Sequence, residues 1–176
     1  MSDLVVLHSA VVAVVGIAAW TDARSGRIPN WLTLPTIVAA LVVHLVTGGP
    51  WGVLLSVIGL VLGAACPLVL FWRGAMGGGD VKLFAAIGAL LGPELALEAQ
   101  LASFAVAAFL ALVMMAWRGT MFRTLSNLVL TLVGPLLPEP RRPEVSAELT
   151  STMRIGFAVL IGTSLVLVAS HAEMWV

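Results

Sequence analysis

Apolar positions in this chain fall into six long runs, at residues 4–20, 31–46, 51–72, 81–91, 95–117 and 155–170, separated by short polar stretches. A hydrocarbon core of about 30 Å takes about 20 apolar residues of helix, and most of these runs come near that length. The pattern predicts an all-α polytopic membrane protein with about six transmembrane helices, built as a single membrane-embedded domain over residues 1–176. The first run carries Asp3 and no Lys or Arg before it, so it reads as a retained helix and not a signal peptide. Thr47-Gly48-Gly49-Pro50 predicts a tight turn, and Pro67 a kink in the third run. Residues 81–91 are too few for a full span and predict a helix that begins inside the protein. Between the last two runs, residues 118–153 differ. Residues 121–137 predict an interfacial amphipathic helix, and residues 138–152, rich in Pro and Glu, an exposed loop on the cytoplasmic side.

Composition sharpens this picture. The chain is 60% hydrophobic and 10% charged over 176 residues, which leaves no room for a separate soluble domain. The net charge is zero, yet all nine basic residues fall in or beside the first, third and fifth loops of a six-helix topology. The opposite side holds Asp3, Glu94, Glu98 and Glu173 and no base. The positive-inside rule places the basic loops in the cytoplasm and both termini outside. The six tryptophans stand at run ends, as an aromatic belt does. The single cysteine, Cys66, sits in an apolar run and supports neither an internal disulfide nor a metal site.

Two carboxylates carry the candidate chemistry. Asp22 ends the first helix and Asp80 opens the fourth, 58 positions later. The topology brings both to the cytoplasmic end. Two close carboxylates cannot both stay ionised, so they share a proton, and such a pair suits hydrolysis of a peptide by water. Gly77, Gly78 and Gly79 allow irregular backbone and close approach of substrate beside Asp80. Other readings of the same residues stay open here. Asp80 suits a helix cap, Asp22 suits pairing with Arg24 or Arg27, the glycines suit a flexible turn, and Lys82 suits a snorkelling interfacial lysine.

The segment Gly77-Gly78-Gly79-Asp80-Val81-Lys82-Leu83 matches the Gly-x-Gly-Asp signature of intramembrane aspartyl proteases. With Ala85-Ala86-Ile87-Gly88 and Leu91-Gly92 after it, and with Asp22, Arg24 and Ile28-Pro29-Asn30 before it, the chain resembles the type IV prepilin peptidases. The resemblance implies that Asp22 and Asp80 are catalytic, with Arg24, Asn30 and Lys82 as supporting residues. It implies an aspartic endopeptidase of the bacterial inner membrane, without a cofactor, that cleaves the basic leader of a prepilin or pseudopilin at the cytoplasmic face. Larger members of that family add a cytoplasmic segment, often with paired cysteines, and methylate the new N-terminus. Here the first loop is short and holds no cysteine, so cleavage without methylation is expected. The short form resembles the peptidases of tight-adherence (Flp-type) pilus systems. In that group the last helix often opens with a Pro-Tyr-Gly-like triplet, of which Arg154-Ile155-Gly156 keeps the glycine. Archaeal preflagellin peptidases and presenilin-like proteases share the glycine-aspartate motif, but the Ile28-Pro29-Asn30 segment favours the bacterial type.

No metal is expected, because His8, His44 and His171 lie in or beside separate runs and no His-Glu-x-x-His is present. Ser56 and His44 form the one serine-protease alternative, without a glycine-flanked nucleophile. The basic loops lack the interleaved aromatics of a nucleic-acid surface. Membrane lipid and a prepilin are the expected partners. The rival from another class is a small proton- or cation-coupled transporter or a membrane scaffold, with residues 81–91 as a broken helix.

Overall fold

The computed structural model describes residues 2–117 and 155–173. Five helices dominate them: α1 (Ser2–Ser25), α2 (Asn30–Trp72), α3 (Gly78–Leu91), α4 (Pro93–Trp117) and α5 (Gly156–Glu173). The chain forms two compact units, Met1–Ala107 with Thr152–Val176, and Ala108–Ser151. The first holds α1 to α3, α5 and the larger part of α4. The described part of the second is the end of α4, at residues 108–117. The expected interfacial helix near 121–137 and the loop after it lie outside the described residues.

By length and composition, three helical stretches can cross a membrane, Val6–Ser25, Asn30–Trp72 and Pro93–Trp117, and Gly156–Ala172 is a shorter apolar helix. The 43 residues of α2 would measure about 65 Å if straight, roughly twice a hydrocarbon core. They do not run straight. Gly49 takes φ 60° and ψ −153°, directly before Pro50. Past it the chain doubles back, so that Gly52 lies on the backbone carbonyl of His44 with no room for a Cβ. In a continuous helix these two residues would stand about 12 Å apart. The turn expected at residues 47–50 therefore divides α2 into two antiparallel limbs. Pro67 lies inside the second limb, where the backbone stays helical.

The ends of α1 depart from expectation. Residues 21–25 read as loop but are helical, because the Thr21 hydroxyl donates to the Ile17 and Ala18 carbonyls (3.0 Å each) and the Ser25 hydroxyl to the Thr21 carbonyl (2.7 Å). Gly26, at φ 65°, stops the helix, and its N–H donates to the Asp22 carbonyl at 2.8 Å.

The short helix α3 is the centre of this unit: every residue from 83 to 90 is buried. At 14 residues it is about 21 Å long and falls short of a span. Small residues let it sit this deep. Gly52, Ser56, Gly59, Gly63 and Pro67 line one buried face of α2. Gly59 and Gly63 meet Gly88 and the Phe84 backbone of α3 so closely that a Cβ at Gly59, Gly63 or Gly88 would collide with a facing carbonyl. Such contact of two glycine-bearing helices is the packing by which helices associate where no hydrophobic drive operates between them.

The last carbonyls of α3 have no partner within the helix and end among other helices instead of in water. The Ser56 hydroxyl donates to the Ala89 carbonyl (2.7 Å), and His44 Nε2 to the Leu90 carbonyl (3.1 Å). The Gly92 N–H serves the Gly88 carbonyl at 2.9 Å. On the other side, Gln100 of α4 donates to the Gly63 carbonyl at 2.7 Å, and the Phe84 and Phe104 rings stand 5.5 Å apart.

α1 buries His8, Val11, Val15, Ala18 and Asp22, at spacings of three and four, along one face. α5 lies antiparallel against it. His8 meets His171 at one end, Nδ1 to Nδ1 at 3.2 Å, and Asp22 meets Gly156 at the other. Trp20, Trp31, Trp51, Trp72 and Trp117 all point outward, as a belt requires.

Candidate active site

Asp22 occupies the last buried position of the inward face of α1. It is 7% exposed, in contrast to Arg24 and Arg27, which lie at the surface. Its carboxylate turns into the bundle, where Oδ2 accepts the backbone N–H of Gly156, the first residue of α5, at 3.1 Å. A free N–H at a helix start carries partial positive charge, and an anion there is stabilised. A Cβ at residue 156 would stand 2.9 Å from that same Oδ2 and 3.1 Å from the Ala19 Cα. Only a glycine lets the start of α5 come this near.

Asp80 lies in the first turn of α3. The helix takes in Gly78 and Gly79, with Gly77 as an extended N-cap at φ −78° and ψ 148°. The expected irregular stretch therefore ends at Gly77, and Asp80 is the third helical residue and not the first. Its Oδ2 accepts the Gly77 N–H at 3.3 Å, so the carboxyl does cap its own helix. Burial pushes its pKa up from 3.8 to about 6, the charge of Asp22 adds to the rise, and the Gly77 N–H partly offsets it. The two carboxyls, 58 positions apart in sequence, thus stand within electrostatic reach at one end of the bundle.

The glycines before Asp80 differ in surroundings. A Cβ at Gly77 would meet only the Asp80 carboxyl, at 3.1 Å, and one at Gly78 would rest on the Phe71 ring at 3.4 Å. Gly79 faces Ile28, whose Cβ, N and O would lie 3.1–3.4 Å from a Cβ there. The close approach at Gly79 is made by the protein's own loop. Ile28 is buried and joins α3 to the loop between α1 and α2. A second tie runs beside it, from Lys82 Nζ to Asn30 Oδ1 at 2.8 Å. Lys82 and Asn30, singled out in the sequence, are brought together. Arg24 stays at the surface.

The other candidates are accounted for by structure. Ser56 and His44 each serve a separate carbonyl at the far end of α3. Because a carbonyl only accepts, His44 carries its hydrogen on Nε2. His8 and His171 meet although they belong to separate apolar runs, and the His171 Nδ1–H also reaches the Leu167 carbonyl at 2.9 Å. No group of three or more metal-ligating side chains occurs among the described residues. Sequence reasoning misses Ile28 as a wall against Gly79 and Gly156 as a partner of Asp22. The glycine after Ile155 is the only sequence signal for the latter.

The site is thus an α-helical bundle that carries two carboxyls within reach of each other's charge at one end. Residues 9–116 match the Type IV leader peptidase family, and the chain belongs to it. That match takes in most of α1, α2 and α3 whole, and nearly all of α4. Prepilin leader peptidase/N-methyltransferases of Burkholderia pseudomallei, strains 1026b and K96243, are each 36% identical over 115 residues. The aligned part is 57% of this chain and 34% of each relative, so the chain spans about a third of their length. No solved structure matches.

Proposed function

We propose that the protein is an aspartic endopeptidase that cleaves the leader of a type IV prepilin or pseudopilin, of the Flp type, at the cytoplasmic face of the bacterial inner membrane. What supports this reading is the placement of Asp22 and Asp80 at one end of the bundle within reach of each other's charge, with Asp80 raised to about 6 by burial and by its neighbour. A pair that holds one proton has an acid and a base side by side. One carboxylate takes a proton from water as the water oxygen bonds to the scissile carbonyl carbon. The other carboxyl gives its proton to the carbonyl oxygen. When the tetrahedral intermediate collapses, the C–N bond breaks, the amine leaves with the proton taken from water, and the hydroxyl proton returns to the second carboxylate. Neither a metal nor a covalent intermediate is required.

The orientation rests on charge. Arg24, Arg27, Arg73 and Lys82 gather at the end that holds the carboxyls, and Glu94 and Glu98 stand near the other end of α3. This supports a six-helix topology with two crossings by α2 and the termini outside. A basic leader held in the cytoplasm would then reach the pair just before the hydrophobic segment of the pilin. The α1–α2 connection, four residues long and free of cysteine, supports cleavage without N-methylation.

The test is incubation of the purified protein with a prepilin in detergent or lipid, with N-terminal sequencing and mass measurement of the product. A free, unmethylated new N-terminus just before the hydrophobic helix is expected. Asp22→Asn and Asp80→Asn should insert normally and yield none. Cleavage by either variant would contradict the assignment.

A further inference from the structure

Most of the polar contacts outside the pair have structural uses. His44, Ser56 and Gln100 serve backbone carbonyls, and His8 with His171 joins the far ends of α1 and α5. The contact of α5 with Asp22 is different, because it ends on a carboxylate that the hydrolytic reading needs. We propose that Gly156 is a positioning residue for that hydrolysis: the start of α5 orients the Asp22 carboxylate and supports its charge, which makes Asp22 the member that takes the proton of water and Asp80 the member that protonates the carbonyl oxygen. The inference rests on the hydrolytic reading of the pair.

Three observations carry it. The Gly156 N–H donates to Asp22 Oδ2 at 3.1 Å, from the first residue of a helix, where the backbone dipoles favour an anion. Asp22 is buried, so this contact is made away from bulk water, where it orients most firmly. The absent Cβ is what permits it, since one would stand 2.9 Å from Oδ2 and 3.0 Å from the Asp22 Cβ. Among the described residues, Asp80 has no such helix end aimed at it from elsewhere. It accepts a longer bond, at 3.3 Å, from the N-cap of its own helix. One proton divided between these two carboxyls rests on Asp80.

Gly162 provides the control. It lies on the same helix, and a Cβ there would collide with the Ser103 backbone of α4, but it touches neither carboxyl. Gly156→Ala and Gly162→Ala are to be made in the full chain and assayed with a prepilin for kcat and KM beside thermal stability. Gly156→Ala should lower kcat by about 100-fold with KM within about twofold, the cost expected of a misplaced reacting group. Gly162→Ala should lower stability and leave kcat of the folded fraction unchanged. Unchanged kcat in Gly156→Ala would overturn the proposal, as would equal losses of kcat in the two variants. If Gly156→Ala does not fold, the wild-type chain labelled with ¹⁵N-glycine decides. The Gly156 amide should shift in Asp22→Asn and hold its place in Asp80→Asn, and an amide indifferent to Asp22 would overturn the proposal. Cleavage by Asp22→Asn would sink the hydrolytic reading itself. A dead Asp22→Asn beside a fully active Gly156→Ala sinks only this inference.

Discussion

The two carboxyls hang from two differently built halves of the bundle. Asp80 belongs to α3, which α2 grips by contact of backbone on backbone. Gly59, Gly63 and Gly88 have no room for a Cβ, and Ser56 and His44 hold the carbonyls at the end of α3. Asp22 belongs to α1, whose contact with α5 is made by side chains of ordinary size such as Val11, Val15 and Val159, with polar contacts at its two ends. A methyl added at Gly16 of α1 would meet nothing within 4 Å among the described residues, whereas one at Gly88 of α3 would run into the Gly59 carbonyl. The difference teaches how a pair can be both fixed and adjustable. One member is set by packing that does not yield, and the other by a single hydrogen bond from a neighbouring helix.

The strongest way to break this contrast is overpacking of the glycine contact. Gly88→Leu should abolish folded protein, since α3 and α2 would have to separate along their length, and yield of monodisperse protein after extraction measures it. Next in size is Asp80→Asn, for which cleavage should fall at least about 10³-fold. The same change should raise stability. Asp80 binds its proton more tightly folded than unfolded, so its own contribution to stability is full below 3.8 and is lost as pH rises through about 6. At neutral pH the asparagine removes that penalty, on the order of 2 kcal/mol, which thermal unfolding at pH 5 and pH 8 would read as a gain larger at pH 8.

Ser56→Ala should cost about 1–2 kcal/mol, because the Ala89 carbonyl then loses its donor inside the bundle. Lys82→Met should cost less, about 0.5 kcal/mol, since its bond to Asn30 is exposed. A double-mutant cycle with Asn30→Ala tests whether the effect comes from that bond. Gly16→Ala, in the roomy part of α1, should be neutral or slightly stabilising. A loss there as large as at Gly88 would erase the contrast.

Much of this is legible from sequence. The all-helical class, the turn at Gly49-Pro50 and the shortness of α3 follow from run lengths and breakers, and the two aspartates stand out by the cost of carboxylates near lipid. The start of α3, expected inside the protein, is half-buried to exposed over residues 78–82, and it is residues 83–90 that are buried. What is not legible has one physical cause. In a membrane both the core face and the lipid face of a helix are apolar, so no periodicity separates Val15, fully buried, from Ile17, 42% exposed. Partners across helices therefore cannot be paired, and Gly156 with Asp22, Ile28 with Gly79 and His8 with His171 emerge only from the fold. The close contact of Gly59 and Gly63 with α3 likewise emerges only from the fold. The helical state of residues 21–25 is hidden because Thr21 and Ser25 bond back to the helix instead of ending it.

The central claim is that Asp22 and Asp80 act on each other. Its most direct measurement is the titration of Asp80, followed by the ¹³C shift of labelled aspartate carboxyls in the intact protein and in Asp22→Asn. The account predicts a midpoint for Asp80 near the raised value of about 6 in the wild type, and a clearly lower midpoint once residue 22 carries no charge. An Asp80 midpoint that is the same in both proteins would show that the two carboxyls do not meet, and would contradict the account.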